Sequence, residues 1–190
     1  MKQRLVFYEK TNDNSAVMTL NERLIDKSTR REAFEEMVRT YSPQIYRQIR
    51  RMVQYHDDAN DVMQDTFMKA WTALDSFRGD AKISTWLYRI ATNESLSFLA
   101  RQKAQISLED ADMVRTLESD TYCDSDETAL KLQRAVATLP DKQRAVFNLK
   151  YFEEMKYEEM SEILDTSVGA LKASYHIAVK KIEAYFKETD

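Results

Sequence analysis

The sequence predicts an all-α fold: two small helical domains joined by an acidic linker, the second ending in a helix-turn-helix. Three observations carry that expectation. Two glycines and two prolines among 190 residues leave almost no material for hairpin turns. Apolar residues recur at three- and four-residue spacing over long stretches, the period of a helix buried on one face. Residues 107–127, SLEDADMVRTLESDTYCDSDE, are instead acidic and nearly without an apolar period, which reads as a linker between domains.

The elements follow in order. Thr29-Arg-Arg-Glu32 has the form of a capping box, with Ala33, Phe34, Met37 and Val38 behind it at helical spacing. Ser42-Pro43 reads as the stop of that helix and the start of the next. Asp57 and Asp58 are expected to cap a third helix with Ala59, Val62, Met63, Thr66, Phe67, Ala70 and Leu74 on one stripe. A loop at residues 77–83 leads into a helix expected from about Thr85 to Arg101. After the linker come a helix over residues 128–139 and another opened by Pro140. YEEMSEIL (157–164), a break at Asp165-Thr166-Ser167, and a final helix to about Lys187 complete the chain. Two helices with so short a break have helix-turn-helix spacing.

Composition sets limits on function. With 43% hydrophobic and 32% charged residues the chain reads as globular and soluble. The single cysteine, Cys123, has no partner for an internal disulfide, which fits a reducing cytoplasm. The apolar run LVFY (5–8) is too short for a signal segment, and nothing approaches the roughly 20 apolar residues that span a bilayer. No direct membrane insertion is expected. His56 and His176 fall in different domains, no Cys/His set has metal-ligand spacing, and no glycine-rich loop is present to cradle a phosphate. The expectation is a protein that is not an enzyme and holds no metal or cofactor. A net charge of −4 argues mildly against a free-standing nucleic-acid binder.

Three faces are left over once the apolar stripes are assigned. On the third helix Asp61, Gln64, Asp65, Met68 and Thr72 lie opposite the stripe. Such a face is ordinarily just solvated, but a methionine among acids suits a protein partner that brings arginines. In FRGDAKISTWLYRIATN (77–93), Gly79 opens a tight loop and the next helix sets Leu87, Ile90, Ala91 and Phe98 inward. Arg89, Thr92, Asn93 and Leu96 share another arc, where polar groups beside a loop suit an unstacked base. Trp86 by itself is more in keeping with a core position. On the last helix Val168, Leu171, Tyr175, Val179, Ile182 and Phe186 form the core stripe. Ala170, Ala173, Ile177 and Lys180 face away, flanked by Lys172, Ser174, His176 and Lys181. Small apolar groups beside lysines suit a major groove, where they meet thymine methyls while the lysines meet phosphates.

These segments together resemble a bacterial alternative sigma factor of the extracytoplasmic-function type, in the sigma-70 superfamily. DDANDVMQDTFMKAW is similar to that family's polymerase-binding segment, FRGDAKISTWLYRIATN to its promoter-melting segment, and YEEMSEILDTSVGALKASYHIAVKKI to its terminal helix-turn-helix. The resemblance covers about residues 31–186, apart from the linker. It implies a cytoplasmic protein that binds core RNA polymerase, at the clamp and flap of the large catalytic subunit, and brings it to promoter DNA. An anti-sigma factor belongs to the same set of implied partners. Residues 29–104 would be sigma region 2, 105–127 the linker and 128–190 region 4, with 1–28 an N-terminal extension in which Met18 offers a second start. Asp61, Gln64, Asp65, Phe67 and Met68 would meet the polymerase. Phe77, Arg78, Gly79, Lys82, Trp86, Arg89 and Asn93 would hold a flipped base of the melted −10 element. Ser167, Lys172, Ala173, Ser174, His176 and Lys180 would read the −35 duplex, on a helix whose ALKASYHI lacks the family's usual arginines. A stand-alone helix-turn-helix regulator leaves the acidic face and the Gly79 loop unused. A helical adaptor leaves the Ala-Ala-Ile-Lys surface unexplained.

Overall fold

The computed structural model of the protein describes residues 18–79, 81–106 and 127–189. Among them are eight α-helices: α1 (Leu20–Ile25), α2 (Arg30–Met52), α3 (His56–Ala73), α4 (Ile83–Ile106), α5 (Glu127–Ala137), α6 (Asp141–Tyr151), α7 (Tyr157–Leu164) and α8 (Val168–Glu188). One 3-10 turn, Leu74–Ser76, follows α3. The linker expected at 105–127 lies outside the described residues except for its two ends, which are helical. Cys123 and Asp80 lie outside them as well. No described helix is long and apolar enough to cross a membrane.

The expected break at Ser42-Pro43 does not occur: α2 runs through it. A proline inside a helix forfeits one backbone bond and crowds the preceding turn. Here Ala33, Met37, Ile45, Ile49 and Met52 are all buried on one stripe that passes Pro43, whose own ring is exposed. Burying the four large side chains at roughly 1.5–3 kcal/mol each outweighs one lost bond. The capping box expected at Thr29 is also displaced. Thr29 makes no cap bond, and its hydroxyl donates to the Arg23 carbonyl at 2.9 Å. The box sits one helix earlier, where the Glu22 N–H donates to Thr19 Oγ1 and the Thr19 N–H to Glu22 Oε2. α3 begins one residue ahead of the expected caps, at His56, so Asp57 and Asp58 occupy its first turn and favour it through the helix dipole instead.

Within the first domain α2, α3 and α4 pack on one another, and α1 lies against α2 with Leu24 fully buried. The described part of the expected extension thus joins this core. In the second domain the expected helices are all present, and the 157–164 helix and its three-residue break match residue for residue. Asp165 makes the break by taking the left-handed conformation, φ 46°.

One buried cluster spans both domains, and a second, around Leu139, Phe147 and Ala178, lies within the second domain. Ile49, Met52, Leu87 and Leu99 join the same buried cluster as Val146, Leu149, Met160 and Leu171. Polar groups from α6 complete the end of α2, whose last carbonyls have no partner within their own helix. Arg144 Nη1 donates to the Met52 carbonyl at 2.9 Å, and Asn148 Nδ2 to the Arg51 carbonyl at 3.1 Å. Beside them Glu153 accepts from Arg51 Nη1 at 2.6 Å and from the Tyr88 hydroxyl at 2.5 Å. Lys103–Asp141 at 2.6 Å and Lys82–Glu159 at 3.3 Å close the margins.

This seam carries a pH dependence. Burial first, then the hydrogen bond to Glu153 and its charge, push the Tyr88 phenol well above its usual 10.0. The folded state therefore favours the protonated phenol, a contribution fully present below pH 10 and lost as the pH rises beyond it. Urea unfolding of wild type and Tyr88→Phe is expected to show the wild type losing stability faster between pH 9 and 11. Parallel pH profiles would remove Tyr88 from the account.

Candidate nucleic-acid interface

On α3 the apolar side is occupied by Ala59, Val62, Thr66 and Ala70, all buried against the other helices of the first domain. The opposite side is left to Asp61, Gln64, Asp65 and Met68, all exposed, with Met68 at 60%. Among the described residues neither Asp61 nor Asp65 is ion-paired with a basic side chain. Phe67 differs from its neighbours in this set: it is half-buried and packs on the core. The structure adds a residue that the sequence reading passed over. Trp71 is 45% exposed, with its ring edge-on to Phe34 at 4.9 Å. Its place three residues beyond Met68 is the spacing that could have found it.

After the 3-10 turn the chain reverses at Gly79, whose φ of 78° suits a residue without a Cβ. The Asn21 amide donates to the Gly79 carbonyl at 3.3 Å. Arg78 and Lys82 beside this turn, and Arg89 and Asn93 further along α4, are exposed. Phe77 is not: its ring is buried and lies 4.8 Å from the half-buried ring of Trp86. The two aromatics thus support the turn from within. The expected arc of Arg89, Thr92, Asn93 and Leu96 also divides. Thr92 is fully buried, its hydroxyl accepting from Gln48 Nε2 at 2.6 Å, and Leu96 packs partly on the core. The reason is that α4 is covered on several sides, by α2, α3, α6 and α7, so its buried surface is wider than one stripe.

On α8 Ser167 caps the helix by accepting from the Ala170 N–H at 3.3 Å. Leu171, Ala178 and Ile182 are buried, while Ala170, Lys172, Ala173, His176, Ile177 and Lys180 are exposed. Ser174 is half-buried. The Lys172 amine stands 5.6 Å from the Tyr157 ring, and Lys181 is drawn off to Gln143 at 2.9 Å. One face therefore presents small apolar groups between cations.

The turn and the helix-turn-helix meet across the seam. Lys82 pairs with Glu159 on α7, whose carboxyl lies below its usual range chiefly because the Lys156 N–H donates to it, with Lys82 a further cause. Arg78, Lys82, Arg89 and Asn93 all belong to the first domain. The α8 set belongs to the second, and the α3 set forms a separate surface.

A family model described as Sigma-70 region 2 matches residues 37–105, and one described as Sigma-70, region 4 matches residues 129–182. The ECF RNA polymerase sigma factor SigW of Bacillus subtilis is 34% identical over 158 residues, covering 76% of this chain and 84% of that protein. The ECF RNA polymerase sigma-E factor of Escherichia coli strain K12 is 31% identical over 164 residues, covering 80% and 85%. Two solved structures share the fold. The sigma factor RpoE in complex with the anti-sigma factor NepR from Bartonella quintana matches with a TM-score of 0.69 at 23% identity, over 82% of this chain and 98% of that one. CnrH in complex with the cytosolic domain of CnrY matches with a TM-score of 0.67 at 24% identity, over 90% and 97%.

Proposed function

The chain belongs to the sigma-70 family as an alternative sigma factor of the extracytoplasmic-function group, and we propose that it binds core RNA polymerase through α3 and reads promoter DNA with both domains. The observation that supports this most is exposure. The acidic face of α3, the cationic and amide groups beside Gly79 and the small apolar face of α8 all stand free of the core. In this reading Asp61, Gln64, Asp65 and Met68 meet the clamp of the large catalytic subunit. Arg78, Lys82, Arg89 and Asn93 surround an extruded base of the −10 element, with Phe77 and Trp86 bracing the turn from behind. Lys172 and Lys180 hold phosphates of the −35 duplex while Ala173 and Ile177 meet base edges. The protein acts in the cytoplasm as a specificity subunit and performs no covalent chemistry itself. Its net negative charge then poses no difficulty, because the polymerase supplies much of the phosphate-binding charge. An anti-sigma factor is proposed as its inhibitor. A stand-alone regulator is not favoured, since relatives matched across both domains are themselves RNA polymerase sigma factors.

Holoenzyme carrying Asn93→Ala is expected to lose base preference in the −10 element, by roughly 1–3 kcal/mol for one recognised base edge. Permanganate reactivity of melted thymines on promoters differing at a single base measures it. Lys172→Ala is expected to weaken the initial complex on the upstream duplex and leave that preference alone. Wild-type melting and discrimination by Asn93→Ala would show that this helix is only a scaffold.

A further inference from the structure

We propose that α1 is the element that positions the Gly79 turn, and that Asn21 is a specificity-determining residue which acts through the Gly79 carbonyl without touching DNA. The inference rests on the reading of that turn as part of the base-receiving surface.

Several contacts converge on the turn from residues that family motifs leave out. Asn21 Nδ2 donates to the Gly79 carbonyl across 58 positions of sequence. Ile25 Cδ1 stands 3.3 Å, and Asn21 Cβ 3.9 Å, from the point where a Cβ on Gly79 would lie. The backbone at Gly79 is therefore seated directly on α1. The approach to the turn is fastened to the same helix by one guanidinium. Arg30 donates through Nε to the Leu24 carbonyl at 3.0 Å and through Nη2 to the Ile25 carbonyl at 3.1 Å. Its Nη1 meets Asp75, in the 3-10 turn just ahead of Phe77, at 2.6 Å. α1 is itself fixed, by the fully buried Leu24 and by the Thr19–Glu22 capping box.

The physical need for such a brace comes from glycine. A residue without a Cβ enters the positive-φ region freely and leaves it as freely, so nothing intrinsic to Gly79 holds its peptide planes in one orientation. A rotated peptide after Gly79 would turn its carbonyl away from Asn21 and redirect the chain that leads into α4 with Lys82 at its start. Recognition of an extruded base tolerates little such movement, because misplacements near 1 Å are enough to lose productive geometry. One donated hydrogen bond, worth little for global stability, is well placed to fix that orientation.

The test uses the full chain with core polymerase, on promoters that differ at one base of the −10 element. Asn21→Asp keeps the side-chain shape but removes the donor, and Asn21→Ala removes the group. Both are expected to reduce base discrimination in permanganate footprints about threefold to tenfold, the range for one net hydrogen bond. Core affinity, thermal midpoint and upstream-duplex binding are expected to stay near wild type. Gly79→Ala serves as the control on the turn itself, since its Cβ would meet Ile25 at 3.3 Å in a backbone conformation that side chains avoid. If both Asn21 variants keep full discrimination while Gly79→Ala loses it, α1 does not position the turn and the inference falls. Retained discrimination in Gly79→Ala would remove the underlying reading of the turn, and the inference with it. A lowered midpoint with equal losses on every promoter would assign Asn21 a purely structural role and likewise overturn it.

Discussion

Reversing the charge at Asp61 and Asp65 together, as Asp61→Lys with Asp65→Lys, is expected to weaken association with core polymerase roughly thirtyfold to several thousandfold. The range follows from the cost of leaving a desolvated interfacial charge without its partner, about 2–5 kcal/mol. Both carboxylates are exposed on α3 and point away from its buried stripe. Their loss removes no internal contact, and the thermal midpoint is expected to move by no more than about 2 °C, as for other surface changes. Binding of the double variant to purified core enzyme, with the midpoint measured in parallel, decides the matter. An unchanged affinity would reassign this face to solvent. A large fall in both quantities would make the effect one of folding.

Arg144→Ala is expected to be the most damaging single truncation at the domain seam. Arg144 is 7% exposed, and its guanidinium donates to three carbonyls: Met52 at the end of α2, and Ala137 and Leu139 where α5 turns into α6. Burial works against its charge, and Asp141 at 4.0 Å offsets this only in part. Truncation leaves those carbonyls facing a cavity, at a cost of about 3 kcal/mol or more. For a chain of this length that corresponds to a midpoint about 6–12 °C lower. Arg144→Lys is expected to recover less than half, because a single ammonium cannot reproduce the fork. A midpoint within 2 °C of wild type for Arg144→Ala would mean that water already serves these carbonyls.

How much of this was legible in the sequence depends on the distance over which the cause acts. The helix-turn-helix was readable because its punctuation is local: Ser167 caps α8 and Asp165 terminates α7. The exposed faces of α3 and α8 were readable because one period of 3.6 residues sorts each helix into two sides. Pro43 misled because the rule for proline is local, whereas the stripe that overrides it spans all of α2. Thr92 was misplaced because Gln48, the partner that draws it inward, lies 44 positions away on another helix. Arg144 and Asn148 look like ordinary polar positions in sequence, and nothing near them announces carbonyls more than 90 residues upstream. The role of α1 was hidden for the same reason, since the contact from Asn21 to Gly79 is long-range.

The way α6 completes the end of α2 also has a consequence for concentration. The carbonyls of Arg51 and Met52 are served in trans, and water can replace those bonds when the domains part. Two promoter elements about 25 base pairs apart lie roughly 85 Å from each other on B-form DNA, at 3.4 Å per step. In the proposed reading a holoenzyme that engages both would need the domains to part, although Lys82 and Glu159 are in contact when they are joined. Its apparent dissociation constant is then the intrinsic one divided by the parted fraction: one molecule parted in about a hundred means about a hundredfold weaker binding. A partner that prefers the joined form depletes the active pool by the same mass action. In the proposed reading, the level at which this factor competes for polymerase would depend in part on Arg144, Asn148 and Glu153, side chains that need touch neither polymerase nor DNA.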